Sequence, residues 1–312
     1  MRKRNLYAWG VAILCFVVLM IATPAIPQSQ EYHNFADQRQ FFGIPNTLNV
    51  VSNFPFIVIG VIGLVLCYYN NYFELSLQGE LWGWTCFFIG VAAVGVGSSY
   101  YHLDPDDARL VWDRLPMTIA FTSIMAVFII ERIDEQKGTV SIIPLLLAGV
   151  ISILYWRQAC CLILLSFEKI VSFVTVHILL FDDLRPYAVI QFVPCIVIPI
   201  MAILLPPMYT HSTYWLWAAV FYLLAKIEEA MDKVIYEWTH HIVSGHTLKH
   251  LCAAMVPVFL TLMLVKRTTE TNRISLLKTW KVSWTKVKEN GSTVESRDYT
   301  YTTVQSEDPH SH

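Results

Sequence analysis

Apolar stretches of membrane-spanning length recur along most of the chain. A spanning helix needs about 20 mostly apolar residues. Such stretches lie at about 49–69, 82–103, 114–133, 140–157, 187–206, 213–236 and 248–266. The stretch at 213–236 is apolar at first but carries Lys226, Glu228 and Glu229 in its second half. The pattern predicts an all-α integral membrane protein whose core is a seven-transmembrane helical bundle.

A further hydrophobic segment precedes this core. It occupies residues 7–26 and follows three basic residues at 2–4. This arrangement is typical both of a membrane anchor and of a cleaved signal peptide. We therefore divide the chain into an N-terminal anchor or signal peptide at 1–27, the seven-span core at 28–267 and a polar, basic tail at 268–312. For the tail we expect disorder, or a basic helix on an anionic membrane surface around 273–289.

The segment at about 158–181 is an unusual insertion. It is apolar but is broken by Glu168 and Lys169, so each half is too short to span alone. Four explanations of this segment remain open: one poor span, a re-entrant hairpin, an amphipathic layer, or an error of splicing or gene assignment in the sequence.

The distribution of basic residues predicts the orientation of the spans. Lys and Arg favour cytosolic loops, and both 2–4 and 266–288 are basic. Both lie in the cytosol if the N-terminal segment and seven core spans give an even number of crossings. The loops after residues 103 and 236 then share the non-cytosolic side. A single crossing by 158–181 would separate them, so we expect none.

Composition excludes several classes of protein. The chain has 312 residues, of which 55% are apolar and 15% charged, against about 45–50% and about 25% in average soluble domains. A formal net charge of −2 argues against a nucleic-acid partner. Seven cysteines, an odd number without polar spacing, argue against a disulfide framework and against a cysteine zinc site.

Ionisable groups at the ends of the spans are the candidates for chemistry, because charge inside a membrane is costly. Ser98 and His102 are four residues apart at the end of one span, and Asp113 opens the next. His246 and His250 share a helical face at the start of the last span. The orientation places all five residues on one side of the membrane, where the three histidines could meet around one metal ion.

Three histidines with an open fourth position are typical of catalytic zinc. Asp113 is then the natural acceptor of a proton from water, and Ser98 can donate a hydrogen bond to an oxyanion. The zinc-protease helix motif is absent, because no Glu lies between His246 and His250. Each residue alone has a structural explanation: His102 as an interfacial side chain, Asp113 as a favourable charge at a helix start.

Two pairs of charged residues have weaker claims. Glu228 and Glu229 either support a ligand histidine or form a salt bridge with Lys226 or Lys233. Asp37 and Arg39 either line the approach to the site or form a surface ion pair.

The combined motif resembles that of a known superfamily. Its parts are Ser98-x3-His102, Asp113 and His246-x3-His250, with Asn-Val-Val-Ser-Asn at 49–53 and Ser-Gly-His at 244–246. These residues resemble the signature of the alkaline ceramidase and adiponectin-receptor superfamily of seven-span membrane hydrolases, and in context its alkaline ceramidase, phytoceramidase-type branch. The resemblance covers about residues 30–265.

The resemblance implies a site and a reaction. It implies Zn²⁺ held by His102, His246 and His250, Asp113 as acid/base and Ser98 as a polar partner of the carbonyl. It implies hydrolysis of a ceramide- or phytoceramide-like lipid to a sphingoid base and a fatty acid, in the endoplasmic reticulum or Golgi rather than the plasma membrane. We do not expect the family's Ca²⁺ site, because the segment before residue 49 has few carboxylates and Asn46 stands where an acidic ligand would align.

Other functions stay open at this point. The superfamily also contains receptor-like members and other lipid-remodelling hydrolases, for example of GPI-anchor lipids. An inactive paralogue or a mis-spliced form is a further alternative, because the insertion at 158–181 would then separate the two halves of the site.

Overall fold

The computed structural model describes residues 14, 16–69, 72–157, 183–271 and 273–280. Within these ranges the regular structure is helical and contains no strand. The helices are α1 (Thr47–Val51), α2 (Phe54–Tyr68), α3 (Gln78–Leu103), α4 (Asp107–Arg132), α5 (Glu135–Trp156), α6 (Arg185–Leu204), α7 (Tyr214–Ala230), α8 (Asp232–Trp238) and α9 (Gly245–Lys266). One turn of 3-10 helix at Gln30–His33 precedes them.

Six helical segments of the described chain are long and apolar enough to cross a membrane. They are Thr47–Tyr68, which combines α1 and α2, together with α3, α4, α5, α6 and α9. A multi-pass membrane protein is therefore confirmed. The seventh predicted span is divided: α7 has 17 residues and ends at Ala230, and α8 follows after Met231.

Several helices begin earlier than the hydropathy pattern predicts. The stretches expected from 114 and 140 start at Asp107 and Glu135. Asp106 caps α4 by accepting a hydrogen bond from the backbone N–H of Arg109 (2.7 Å), and Asp134 caps α5 in the same way. A side-chain cap satisfies the free N–H groups of a first turn, so the polar turns next to the apolar segments are also helical.

The helices follow one another as antiparallel neighbours. α3 packs against α2 and α4, α4 against α5, and α7 against α9. The core between them contains fully buried large side chains such as Trp84, Phe88 and Phe128. α3 and α4 approach closely at Gly97, where an added Cβ would lie 1.9 Å from the carbonyl oxygen of Trp112. We call the end of the bundle where α3 ends and α9 begins the site end.

The chain leaves α5 and returns to α6 at this same end. The rings of Trp156, at the end of α5, and Tyr187, at the start of α6, both face Arg114, with centroids 4.6 and 5.0 Å from its guanidinium carbon. The insertion predicted at about 158–181 lies outside the described residues, but its two flanks are therefore on one side. That the insertion does not cross the membrane once stays a prediction.

The two terminal regions are described in part. Residues 16–22 are helical, and the carbonyl of Ile26 accepts a hydrogen bond from the N–H of Leu184 (2.8 Å). Residues 1–13 and 15 of the predicted anchor or signal peptide lie outside the described residues. Of the predicted tail, residues 268–271 and 273–280 are described, and Arg273 Nε donates to the carbonyl of Pro207 (3.1 Å). This first part of the tail therefore contacts the bundle.

Candidate metal centre

Three histidines from two helices converge at the site end. His102 lies in the last turn of α3, and His246 and His250 lie in the first two turns of α9. Nε2 of His102 lies 3.3 Å from Nε2 of His250 and 3.4 Å from Nε2 of His246. All three side chains are buried, and they form a group able to hold a metal ion. The structure thus brings together the three residues that the sequence predicts as ligands.

The spacing of these nitrogens fits a small tetrahedral cation. Zinc binds histidine nitrogen at about 2.0–2.1 Å with tetrahedral angles, which separates two ligand nitrogens by about 3.3–3.4 Å. The two nitrogen separations in the structure, 3.3 and 3.4 Å, have this value. Imidazole nitrogens without a carboxylate suit zinc, copper, iron or nickel rather than magnesium or calcium.

Local structure holds α9 at the site. Ser244 caps the helix by accepting from the N–H of Thr247 (3.1 Å), and Asp232 accepts from the N–H of His246 (2.7 Å). On the other side of the triad, the hydroxyl of Ser52 lies 2.8 Å from Nδ1 of His250. The start of α9 and the ring of His250 are therefore fixed by contacts outside the triad itself.

The loop before α1 covers the triad. The Phe35 ring is buried, with its centroid 4.7 Å from the His102 ring and 4.6 Å from the His246 ring. The next residue, Ala36, donates its N–H to the carboxylate of Asp232 (2.9 Å). An apolar ring in this position excludes water from one side of the three nitrogens.

The covering loop is stabilised by a partly buried ion pair between Asp37 and Arg39. Their side chains meet at 2.7 Å, and Arg39 also donates to the carbonyl of Ile242 (2.7 Å). Burial alone would raise the pKa of Asp37, but the hydrogen bonds and charge of Arg39 together lower it from its ordinary value. The pair joins the loop to the chain just before α9, and of the two readings of these residues the structure shows the ion pair.

A cavity of about 140 Å³ lies beside the triad. His250, Ser98 and Asp113 all line it. Asp113 lies on α4 and Ser98 on α3, so the close approach at Gly97 sets their separation. The cavity therefore places a buried carboxylate and a hydroxyl next to one of the histidines.

The same cavity is also lined by an ion-pair network. Lys249 Nζ donates to Glu229 (3.0 Å), and Lys226 donates to the other oxygen of that carboxylate. The Tyr32 hydroxyl also donates to Glu229 (3.1 Å), and burial raises the pKa of this phenol well above its ordinary value. Of the two readings of Glu229, the structure shows the salt bridge with Lys226. Glu228 contacts Cys252 instead (3.3 Å).

Several side chains at the site were missing from the sequence prediction. No sequence motif assigns a role to Phe35 or Lys249. Arg114 directly follows Asp113, but the sequence does not indicate a partner for it. Ser52 and Asn53 belong to the segment that carries the resemblance, but the sequence assigns them no role. Only for Lys249 does the sequence contain a signal, because its position between two ligand histidines indicates that it lies near the site.

Comparison with known proteins adds no relative. No protein-family model matches this chain, and no curated protein matches it. The site residues and the motif resemblance are therefore the grounds on which a function can be assigned.

Proposed function

We propose that the chain is a zinc-dependent membrane amidase of the alkaline ceramidase type, which hydrolyses ceramide-like lipids to a sphingoid base and a fatty acid. The convergence of His102, His246 and His250 at nitrogen separations of 3.3 and 3.4 Å carries this proposal. Such a centre, embedded in an apolar bundle and open to a cavity, suits a substrate that enters from the bilayer.

The proposed protein crosses the membrane with all seven core spans. α7, with 17 residues, is the seventh span, its charged end facing the cavity at the site end. Residues 7–26 form a further anchor or a signal peptide. The site end is non-cytosolic, and the membrane is that of the endoplasmic reticulum or Golgi.

The residues of the cavity have distinct tasks in this reaction. Zn²⁺ bound by the three histidines supplies Lewis-acid chemistry, namely polarisation of the amide carbonyl and acidification of water. Asp113 accepts the proton of the attacking water at a carboxylate oxygen and delivers it to the amine nitrogen as the carbon–nitrogen bond breaks. Ser98, which lines the same cavity as Asp113, donates its hydroxyl proton toward the carbonyl oxygen. Phe35 keeps bulk water away from the histidines.

An apolar extension of the cavity provides room for a lipid chain. A second cavity of about 100 Å³ shares Phe56, Val94 and Met117 with the first, and it is lined by apolar side chains and Tyr222. The polar reacting groups and the apolar chain site are therefore adjacent, as an amphipathic substrate requires.

Metal content measured together with activity tests the proposal. Wild type, His250→Ala and a control, His240→Asn, are purified in detergent, zinc is measured by elemental analysis, and ceramide hydrolysis is assayed. His240 is an exposed loop residue with φ +53°, a conformation that Asn tolerates. We expect about one zinc per chain in wild type and control, with both zinc and hydrolysis lost in His250→Ala. No zinc and no turnover in folded wild type would contradict the proposal and favour an inactive or receptor-like protein.

A further inference from the structure

Arg114 is a buried cation whose hydrogen bonds are incomplete. The residue is 5% exposed, and its Nη1 has no hydrogen-bond partner among the described residues. Its guanidinium lies between aromatic rings, with the centroid of Trp156 at 4.6 Å and that of Tyr187 at 5.0 Å. Aromatic faces attract a cation and hold its plane in place, but they accept no ordinary hydrogen bond in the plane of the guanidinium. An available N–H donor therefore remains in the wall of the cavity.

The charges that line the cavity are unbalanced. Among the described residues, Arg114, Lys226 and Lys249 are basic, and Asp113 and Glu229 are acidic. Glu229 is already shared by both lysines. A buried charge without a partner is costly, and a divalent cation on the three histidines would increase the excess. The wall is therefore complementary to an anion.

The position of Arg114 along α4 shows which part of a ligand would bear the charge. Arg114 lies near the site end, and Met117, Phe121 and Ile124 follow deeper in the bundle, over about 15 Å of helix. These three residues line the apolar cavity of about 100 Å³. A ligand that satisfies both regions has an anionic group at the site end and a hydrocarbon chain below it.

We propose that Arg114 forms a subsite for an oxyanion carried by a lipid, a phosphate or a carboxylate, next to the reacting groups. The inference rests on the proposed function for its order of events: the oxyanion belongs either to the head group of an acidic lipid amide before cleavage or to the fatty acid after it. The guanidinium suits both, because its planar N–H groups match two oxygens of a carboxylate or a phosphate.

Binding to the full chain in detergent tests the subsite without any turnover. Three probes each have a saturated C16 chain and no amide bond: the neutral hexadecyl ether of ethylene glycol, its phosphate monoester, and palmitate. We expect wild type to bind at least one anionic probe about tenfold or more tightly than the neutral one, as expected for a hydrogen bond with a charged group. A preference for the phosphate identifies a substrate head group, and a preference for palmitate identifies the product.

Two variants assign the preference to Arg114. It should disappear in Arg114→Gln and persist in Arg109→Gln, which removes an arginine of the same helix that is paired with Asp104 outside the cavity. Equal binding of all three probes by wild type would overturn the proposal, and this comparison does not depend on how well a variant folds. Loss of the preference in Arg109→Gln but not in Arg114→Gln would overturn it too. If the wild type prefers an anionic probe but contains no zinc and does not hydrolyse ceramide, the proposed function is contradicted and the Arg114 subsite is not.

Discussion

The hydroxyl of Ser52 lies 2.8 Å from Nδ1 of His250 and 3.1 Å from the carbonyl oxygen of Asn49. A hydroxyl has one proton, and the carbonyl can only accept, so Ser52 donates to Asn49. Its oxygen then accepts from Nδ1–H of His250, which leaves the lone pair of that ring on Nε2, the atom that faces the other two histidines. Ser52 thus sets the tautomer that metal binding requires.

Replacing Ser52 by alanine should weaken metal binding while the fold remains. We expect the zinc affinity to fall about 10- to 100-fold, the usual effect of removing a partner of a ligand histidine. Competition with a chelator of known affinity measures it. Ser99→Ala is the matched control, because the Ser99 hydroxyl lies 2.7 Å from the carbonyl oxygen of Gly95 and 3.2 Å from that of Val50, and among the described residues it forms no hydrogen bond with a histidine. Equal affinities in the two variants would show that Ser52 does not set the tautomer.

The contrast between His250 and Ser52 shows how far the sequence alone could predict this site. His246 and His250 lie on one face because of their spacing, and a parity argument places His102 at the same end; both steps need no tertiary structure. The contacts of Ser52 and Phe35 depend on how α1 and the preceding loop pack against α9. No local pattern encodes such packing, so these residues were found in the structure only.

The fold shows the same division. Hydropathy predicts six segments that the structure describes as spanning-length helices, but it places the starts of α4 and α5 too late, because caps such as Asp106 act through hydrogen bonds and not through hydropathy. In the predicted seventh span, the first helix ends at Ala230, shortly after the charged pair Glu228 and Glu229.

Asp113→Asn separates proton transfer from metal binding. Asparagine has nearly the same shape but cannot accept a proton at catalytic pH, so we expect hydrolysis to fall about 10²- to 10⁴-fold. Zinc content should not change, since the metal-binding group consists of the three histidines. Asp107→Asn is the control, because Asp107 lies in the first turn of the same helix and pairs with His33 outside the cavity. Full activity of Asp113→Asn would exclude the proposed acid/base role.

Gly97→Ala should force α3 and α4 apart. The new Cβ would lie 1.9 Å from the carbonyl oxygen of Trp112, which is backbone and cannot rotate away. We expect a loss of about 1–3 kcal/mol in the free energy of unfolding, as for other overpacked cores, and a loss of hydrolysis because Ser98 moves relative to Asp113. Thermal unfolding in detergent measures the first effect. Val96→Ala, an exposed neighbour, should leave both nearly unchanged, and equal behaviour of the two variants would contradict the close approach.

The Asp37–Arg39 pair predicts a pH dependence for the covering loop. Because Arg39 holds the pKa of Asp37 below its ordinary value despite burial, the ionised pair stabilises the fold at pH above about 4 and this contribution is lost as pH falls through the lowered value. The difference in melting temperature between wild type and Asp37→Asn should therefore be constant at neutral pH and shrink below about pH 4. Asp104→Asn, at an exposed carboxylate, is the control. A difference that grows on acidification would contradict the assignment.

A second buried charge cluster lies at the far end of α9. Arg267 is 2% exposed; its Nη1 lies 2.7 Å from the Glu131 carboxylate and its Nη2 lies 3.5 Å from that of Glu80. Tyr209 donates to the other oxygen of Glu80 (2.8 Å). One cation thus stands between two buried carboxylates that would otherwise repel each other.

Arg267→Met should therefore destabilise the bundle strongly without changing the metal centre. Removing one partner of a buried ion pair costs about 3–5 kcal/mol because the remaining charge has no solvent, and here two carboxylates remain. The melting temperature should recover in part when Glu131→Gln is added, since that change removes one uncompensated charge. Lys266→Met, at the neighbouring exposed residue, should have little effect. Zinc content per folded chain should stay constant throughout, because the triad lies at the opposite end of α9; a parallel loss of zinc would show instead that the two ends are coupled.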